Sequence, residues 1–419
     1  MTTADATPLS PSRERLLLLT LAAVQFTIII DFMIMMPLGA SLMRVFGINP
    51  SQFGLLVASY GIAAGIAGFL GGFVLDRFDR RGALLVLFTG FTVATLACAL
   101  APTYHFLLVA RFAAGAFGGV ASSVLTATIG DAIPAERRGR AMGTVMAASP
   151  LASIFGVPTG LILADQWGWH APFFFLGTVS LGILVAAIKI LPRVTSQQTA
   201  EHPVRQMWNI LKHRTHGRAY LLRASLVFSG AVIVPFMAPS MVLNVGLNEH
   251  TQLPLIYLFG GACTFFTMPW IGRLSDRFDK VHVLMGIALL AGPIVLVITR
   301  LGPGPLFLTY LFTSLLFIGL SGRFVPTIAL ITNSVEAKYR GGFLSVNSAV
   351  QHTCGGIAAI VGGQLVTTGP DGRLQGYPAA GWVSVAALIL TVLFALWLRR
   401  AAPHAAVNPV PRTPVGPIA

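Results

Sequence analysis

The sequence GFVLDRFDRR at residues 72–81 is followed, two hundred residues later, by GRLSDRFDK at residues 272–280. The four residues Asp-Arg-Phe-Asp are identical in both, at 76–79 and at 276–279. Each copy is a charged turn between two long apolar stretches, so we expect one membrane-embedded unit that occurs twice. Two repeated helical halves around a binding site near the bilayer midplane are a common architecture of secondary transporters.

The amino-acid composition indicates that lipid surrounds most of the chain. Hydrophobic residues make up 55% of the sequence and charged residues only 10%, whereas a soluble domain has about 25% charged residues. A membrane-spanning helix needs about 20 apolar residues. We identify twelve such spans, numbered one to twelve along the chain: 16–40, 53–75, 82–102, 105–130, 141–164, 172–191, 219–243, 253–274, 281–301, 305–331, 342–367 and 378–399.

The apolar runs are continuous rather than alternating, which excludes a membrane β-barrel. The predicted fold class is therefore an all-α membrane protein. Its twelve transmembrane helices are expected in two pseudo-symmetric six-helix bundles.

The basic residues predict the orientation. Of the 28 Lys and Arg residues, only Arg44, Arg300 and Arg373 would face outward, and Arg111 and Arg323 lie inside spans. This bias predicts that both termini lie in the cytoplasm. We expect the protein in the bacterial inner (plasma) membrane. The bias also accounts for the net charge of +14 without nucleic acid as a partner, because anionic lipid of the inner leaflet is the expected counter-surface.

The repeat also divides the chain. The segments IGDAIPAERRGR and ITNSVEAKYRGG follow the fourth and tenth spans and place Glu136 and Glu336 two hundred residues apart. A segment at 204–212 in the connection between the halves is compatible with an amphipathic surface helix or with a flexible linker. We expect a monomer with an N-terminal bundle at 1–191, a cytoplasmic linker at 192–218, a C-terminal bundle at 219–400 and a disordered tail at 401–419.

Together these features resemble the major facilitator superfamily over essentially the whole chain. The family has a loop signature G-x-L-x-D-R-x-G-R-K/R between helices two and three. Here its residues are Gly72, Asp76, Arg77, Arg80 and Arg81. Val74 replaces the Leu of the signature, and Asp79 replaces its second Gly.

Two further motifs carry the resemblance. An Arg near the start of helix four, followed by Gly, is matched by Arg111 and Gly115. The Gly-Pro motif of helix five, which the family associates with antiporters, is matched loosely by Gly156, Pro158 and Gly160. The resemblance favours the drug:proton antiporter or arabinose-efflux-like branch.

Asp31 is the one carboxylate of fourteen that lies well inside a predicted span. At 1.5 Å per residue it lies about 13 Å from the outer end of helix one, and Arg111 lies about 9 Å from the same face. The pair is compatible with a static lock of the N-terminal half or with proton coupling. We favour coupling because Asp31 is the intramembrane acid available to take up a proton, and the resemblance implies the same role.

Other residues are candidates for the wall of a substrate cavity. Polar ones are equally compatible with helix–helix hydrogen bonds, and apolar ones with packing or lipid contact. Arg323 is compatible with an anionic substrate group, with backbone carbonyls, or with the cytoplasmic face. The candidates are Gln25, Phe26, Met33, Phe236, Arg323, Asn347, Gln351 and His352.

The charged cytoplasmic loops predict a gate. Asp76 would cap the positive end of the helix that begins near Gly341, and Arg80 would pair with Asp131. Such contacts would close the cytoplasmic side and break when it opens. The predicted gate residues are Gly72, Asp76, Arg77, Arg80, Asp131, Asp276 and Arg277.

The sequence therefore favours proton-coupled efflux of a small organic molecule, amphipathic, drug-like or sugar-like, with protons as the coupling ion and no cofactor or metal. The alternatives are an importer or facilitator, including one for lipids or siderophores, and a non-transporting receptor.

An enzyme is not expected, because the sequence has no HExxH, GxSxG or glycine-rich phosphate loop. The cysteines Cys98, Cys263 and Cys354 have the spacing of neither a metal site nor a disulfide framework.

Overall fold

The computed structural model describes residues 11–74, 78–192, 203–336 and 339–407. A π-helical turn, Ala152–Gly156, joins α7 to α8, and two short strands, β1 (Thr367–Thr368) and β2 (Leu374–Gln375), pair antiparallel. The helices are α1 (Pro11–Ile34), α2 (Gly39–Phe46), α3 (Pro50–Val74), α4 (Arg80–Ala99), α5 (Tyr104–Ala132), α6 (Ala135–Met146), α7 (Ala148–Leu151), α8 (Val157–Trp167), α9 (Ala171–Ile190), α10 (Pro203–Lys212), α11 (Arg214–Ala231), α12 (Val234–Leu243), α13 (Leu253–Arg277), α14 (Lys280–Ile298), α15 (Leu306–Gly322), α16 (Phe324–Asn333), α17 (Arg340–Leu365), α18 (Tyr377–Ala401) and α19 (Pro403–Ala406).

The helices confirm the predicted all-α membrane fold. Within the described ranges, eleven helical segments are long and apolar enough to cross a membrane. The eleventh predicted span is α17, which has 26 residues and therefore sufficient length. It is less apolar than the others because it carries Asn347, Gln351 and His352.

Several spans consist of two or more helices. The first span is interrupted by a turn around Pro37 between α1 and α2, and the seventh breaks before α12, which has Pro at its first turn. Proline removes a backbone donor and clashes with the preceding turn, so such breaks are expected near it. The tenth span breaks at Arg323, which lies between α15 and α16. Asp31 lies in the last turn of α1, close to the first of these breaks.

The departure of the loop signature at Asp79 has a structural explanation. Asp79 is the N-cap of α4, with φ −58°, and its carboxylate accepts a hydrogen bond from the Gly82 backbone N–H. Asp279 caps α14 in the same way, with φ −58°, through the Val281 N–H. Aspartate is a favoured N-cap because it satisfies a backbone donor that the helix leaves free. The residue therefore begins a helix in both halves and needs no left-handed backbone.

The two halves pack most closely at one end of the bundle. We call this the outer end, because it carries Arg44, which is predicted to face outward, and its partner Glu249. Helix α3 runs against α17 there, and a Cβ on Gly54 would lie 2.6 Å from the carbonyl oxygen of Ala359. One heptad further along α3, a Cβ on Gly61 would lie 2.9 Å from the carbonyl oxygen of His352.

Close contact between α3 and α17 continues to Gly65, where a Cβ would lie 3.0 Å from the carbonyl oxygen of Ala349, and ends beyond it toward the inner end. Gly68 lies on the same face of α3 as Gly61, seven residues further along. A Cβ on Gly68 would meet no atom within 4 Å. In the fifth span, α7, the π-helical turn and α8 pack on α13 of the other half, while α6 at the inner end has no comparable contact in the described part of the chain. The halves are thus closed at the outer end and apart at the inner end.

The connection between the halves contains a helix. Its hydrophobic residues Met207 and Ile210 are buried against the C-terminal half, while Trp208 is exposed. The segment therefore has the amphipathic surface helix that we considered, α10. The residues of the linker at 193–202 lie outside the described ranges.

The beginning of the predicted tail is ordered, contrary to our expectation of disorder from residue 401. Helix α19 packs on α16, and Ala405 and Ala406 are fully buried. The small alanine side chains allow this close contact, which composition alone did not reveal. Residues 408–419 lie outside the described ranges.

Candidate functional site

Asp31 and Arg111 form an ion pair in the interior of the N-terminal half. The Arg111 Nη1 donates to Asp31 Oδ2 at 2.6 Å and to the Asp31 backbone carbonyl oxygen at 3.0 Å. The exposed fraction is 0% for the carboxylate side chain and 1% for the guanidinium side chain. The two residues are eighty positions apart in the chain, and their contact joins α1 to α5.

Two residues that the sequence analysis did not select complete the site. Thr95 of α4 donates its hydroxyl to Asp31 Oδ1 at 3.2 Å. The ring of Tyr60 of α3 lies under the Arg111 guanidinium, 4.6 Å from its central carbon to the ring centroid. A guanidinium over an aromatic face is attracted by the ring quadrupole. Four helices therefore hold the pair, and each Asp31 carboxylate oxygen has a donor.

Gly115 of α5 allows the Tyr60 ring to lie against the Arg111 guanidinium. A Cβ on Gly115 would collide with the backbone carbonyl of Tyr60, so only glycine lets α3 and α5 approach so closely. Gly115 follows Arg111 by one turn and belongs to the motif recognised in the sequence. The physical role of that motif here is to position an aromatic ring against the arginine.

The helix-five motif packs directly on both sides of Asp31. A Cβ on Gly156 would lie 2.5 Å from Ile30 Cδ1, and one on Gly160 would collide with Ile34 Cδ1. Pro158 stands in the first turn of α8, directly after the π-helical turn. Such π turns are frequent at functional sites. The fifth span is thus in contact with the turns of α1 that hold the carboxylate.

The C-terminal half contains a buried arginine on the span that corresponds to α5, but nearer the inner end. Arg323 lies seventeen residues after the start of α15, whereas Arg111 lies seven residues after the start of α5. Arg323 Nη1 donates to the hydroxyl of Ser229 at 2.8 Å, which joins the tenth span to the seventh. Arg323 is only 1% exposed. Arg223 of α11 donates through Nη2 to Gln351 Oε1 and lies over the ring of Phe324 at 5.2 Å.

The remaining cavity candidates divide into two groups. Gln25, Phe26, Met33, Gln351 and His352 are half-buried, and Asn347 is 9% exposed. Phe236 instead packs edge-to-face on Phe53, with ring centroids 6.0 Å apart, and is fully buried. In this structure Phe236 belongs to the closed outer end, where it fills the contact between the halves.

The predicted cytoplasmic gate is described only in part. Arg80 Nε donates to Asp131 Oδ2 at 2.9 Å. Both residues belong to the N-terminal half, at the start of α4 and the end of α5, so their contact joins helices within one half and does not bridge the two.

The other gate residues remain predictions. Asp76 and Arg77 lie outside the described ranges, and Gly72 lies in the last turn of α3. Asp276 and Arg277 are at the inner end of α13.

Two polar contacts at the outer end link the halves. Arg44 pairs with Glu249, and the His250 ring contacts the Asp165 carboxylate. No local pattern in the sequence predicts these pairs, because each joins loops or helix ends of different halves. They reinforce the closure made by α3, α17, Phe53 and Phe236.

Comparisons with known proteins agree with this architecture. The family model of the Major Facilitator Superfamily matches residues 21–322 and 220–417. An uncharacterized MFS-type transporter, YceJ of Bacillus subtilis (strain 168), is 23% identical over 381 residues, covering 88% of this chain and 94% of the relative.

Two solved structures show the same fold. One is a bacterial homolog of the human lysosomal transporter Spinster, in an inward-facing and unoccupied conformation: its TM-score is 0.75 at 16% identity, with 96% of this chain and 100% of that chain covered. The other is a D-xylose-proton symporter, with a TM-score of 0.73 at 18% identity and coverage of 94% and 99%. With its two repeated helical halves and a family match over almost its entire length, the chain belongs to the major facilitator superfamily of membrane transporters.

Proposed function

We propose that this protein exports a small organic molecule in exchange for protons, and that Asp31 carries the proton. The observation that carries the proposal is the ion pair between Asp31 and Arg111, which is sealed inside the N-terminal half. We further place the protein in the bacterial inner membrane as a monomer with both termini in the cytoplasm, working without metal or cofactor.

Protonation of Asp31 changes the energy of this site substantially. Attraction between opposite charges is stronger in a low-dielectric interior than in water, and losing one partner of a buried pair costs about 3–5 kcal/mol. Conformations of a transporter differ by a few kcal/mol. Proton uptake by the carboxylate is therefore large enough to exchange one conformation for another.

The burial of Asp31 also supports tight coupling. With the carboxylate 0% exposed, a proton reaches or leaves it only when the surrounding helices move. A proton leak through a static protein is thereby prevented. The coupling of proton transfer to conformational change is what an exchanger requires.

The contacts of α1 provide a mechanical connection to the other half. Ile30 and Ile34, on either side of Asp31, pack on Gly156 and Gly160 of the fifth span. The adjoining π-helical turn packs on Gly261 of α13, where a Cβ would lie 3.0 Å from Ile154 Cγ1. A shift of α1 on protonation of Asp31 would therefore displace the fifth span and change its contact with α13 of the other half.

The test uses the purified chain in proteoliposomes. Compounds that raise its melting temperature are assayed for flux under an imposed pH gradient, and the direction of coupled proton movement distinguishes exchange from symport. Asp31→Asn should abolish gradient-driven flux, while exchange of substrate for substrate continues. Glu14→Gln is the matched control. Glu14 lies on the same helix as Asp31, at its inner end, and pairs with Arg137, whose side chain is half-exposed. Undiminished gradient-driven flux in Asp31→Asn would remove Asp31 from the mechanism.

A further inference from the structure

Arg323 is a buried cation with a free hydrogen-bonding edge. Its Nη1 donates to Ser229 at 2.8 Å. Its Nε and Nη2 have no acceptor among the residues that the structure describes, although Arg323 is 1% exposed. Buried polar groups are almost always hydrogen-bonded, and a buried charge without a partner is costly.

The comparison of the two halves shows what Arg323 lacks. In the N-terminal half, Arg111 of the fourth span reaches the first span and meets the carboxylate of Asp31. In the C-terminal half, Arg323 of the tenth span reaches the seventh, and among the described residues its one hydrogen-bond acceptor is the hydroxyl of Ser229. The two arrangements join corresponding helices, but only the first contains a counter-charge.

The C-terminal half has no acid at this depth. All five carboxylates between residues 219 and 400 lie in loops or at helix ends: Glu249, Asp276, Asp279, Glu336 and Asp371. A second cation, Arg223, is 6% exposed and also has guanidinium donors without an acceptor in the described part of the chain, Nε and Nη1. The interior of this half therefore carries an excess of positive charge.

The free atoms of Arg323 have a specific geometry. The Nε–H and one Nη2–H lie side by side on the same edge of a guanidinium and point in parallel. This edge is the fork that binds a carboxylate or phosphate through two parallel hydrogen bonds. In Arg223 the free atoms are Nε and Nη1, which do not share an edge, so Arg223 contributes charge rather than a fork.

We propose that the transported molecule is an organic anion, and that its carboxylate or phosphate group binds the Nε–Nη2 edge of Arg323. Ser229 holds the opposite side of the guanidinium and so fixes the direction of the fork. Arg223, stacked on the ring of Phe324 next to Arg323 in the chain, adds positive potential in the same half. The inference rests on the proposed function in one respect, that the bound anion is the molecule transported.

Binding is tested on the purified full-length protein without any gradient. The probes are benzoate, phenyl phosphate and neutral benzamide, and the readout is the shift in melting temperature with probe concentration. At least one of the two anions should raise the melting temperature, whereas benzamide should not. Stabilisation by benzoate alone would identify a carboxylate, and by phenyl phosphate alone a phosphate.

Substitutions locate the site. Arg323→Gln should weaken anion binding by at least about tenfold, as expected when one partner of a buried charge pair is removed. Arg323→Lys keeps the charge but loses the fork, so it should retain more affinity for phenyl phosphate than for benzoate. Arg300→Gln removes the same charge from an exposed position in the same half and should leave binding unchanged.

Four results would overturn the inference. They are equal binding of benzamide and the anions, anion binding that survives Arg323→Gln, no stabilisation by either anion, and loss of folding in both Arg323 variants without ligand. The last result would show that Arg323 is required for the fold. In contrast, an arginine that awaits a ligand anion should be removable at little cost to the unliganded protein.

Failure of this inference can be told apart from failure of the proposed function. Asp31→Asn should bind the anion as the wild type does, because Asp31 lies in the other half. Anion binding without proton-driven flux would refute the exchange mechanism but would still support the anion site at Arg323. Proton-driven flux of a neutral compound, with no anion binding, would support the coupling of transport to protons and refute the anion site.

Discussion

Replacing Asp31 with Ala should destabilise the protein by about 3 kcal/mol. The substitution leaves the guanidinium of Arg111 buried, with its side chain 1% exposed, and stranding one member of a buried pair costs about 3–5 kcal/mol. Two contacts of the guanidinium survive, the one to the backbone carbonyl of residue 31 at 3.0 Å and the one to the Tyr60 ring at 4.6 Å. They place the expected loss at the lower limit of that range.

Removing both charges should restore stability. The double variant Asp31→Ala/Arg111→Met has no stranded cation, and apolar replacements of buried ion pairs are often neutral or stabilising. We therefore expect the double variant to be more stable than Asp31→Ala alone. The free energy of unfolding is measured by urea titration in detergent micelles, with tryptophan fluorescence as the readout.

The control is the ion pair between Arg137 and Glu14, which joins at 2.8 Å with the Arg137 side chain 48% exposed. Glu14→Ala should cost only about 0–1 kcal/mol. The Glu14 side chain is only 13% exposed, but the Arg137 side chain left without its partner is 48% exposed and can be solvated. If Asp31→Ala cost no more than this control, the buried pair would not be desolvated. The electrostatic argument for coupling would then be wrong.

Three further predictions concern the conformation, the topology and the inner end. Gly61→Leu should oppose closure of the outer end, because its Cβ would lie 2.9 Å from the His352 carbonyl oxygen. Overpacking of about 1–3 kcal/mol shifts an equilibrium by about 5- to 150-fold. In a background without the native cysteines, the thiol of Phe53→Cys should therefore react faster with an external reagent when Gly61→Leu is present. Gly68→Leu is the control, because no atom lies within 4 Å of its Cβ, and equal reaction rates in the two variants would contradict the account. Single cysteines at Asn248 and Gly372 should be labelled from outside and one at Gln198 should not, and the opposite pattern would invert the predicted topology. Asp76→Asn should raise the cytoplasmic accessibility of a cysteine at Gln351 by removing a helix cap worth about 0.3–1 kcal/mol, whereas unchanged accessibility with collapsed substrate affinity would place this loop in the substrate path.

The structure also limits what the inner ion pair can do. Arg80 and Asp131 meet, but both belong to the N-terminal half. Their contact joins the inner ends of α4 and α5 within one half, so separation of the halves does not require it to break. Any closure of the inner end must therefore use other contacts, and the loop at Asp76 remains the predicted one.

The sequence by itself determined the class of protein and its internal repeat. The length of the apolar runs predicted the spans, and the recurrence of Asp-Arg-Phe-Asp predicted the duplicated halves. Both properties are local, since they follow from counting residues along the chain. The same counting placed Asp31 and Arg111 at similar depth, because an α-helix rises by a fixed 1.5 Å per residue.

Only the tertiary structure decided which side chains meet at that depth. A rise per residue gives the height of a residue in the membrane, but not the direction in which its side chain points toward neighbouring helices. Tyr60 and Thr95 were therefore not selected from the sequence, and Phe236 was placed in a cavity wall although it packs in the closed outer end. The free edge of Arg323 likewise depends on the rotation of α11 and α16 about their axes. Helix rotation and the contact of distant segments are set by packing of the whole bundle, which no local pattern in the sequence records.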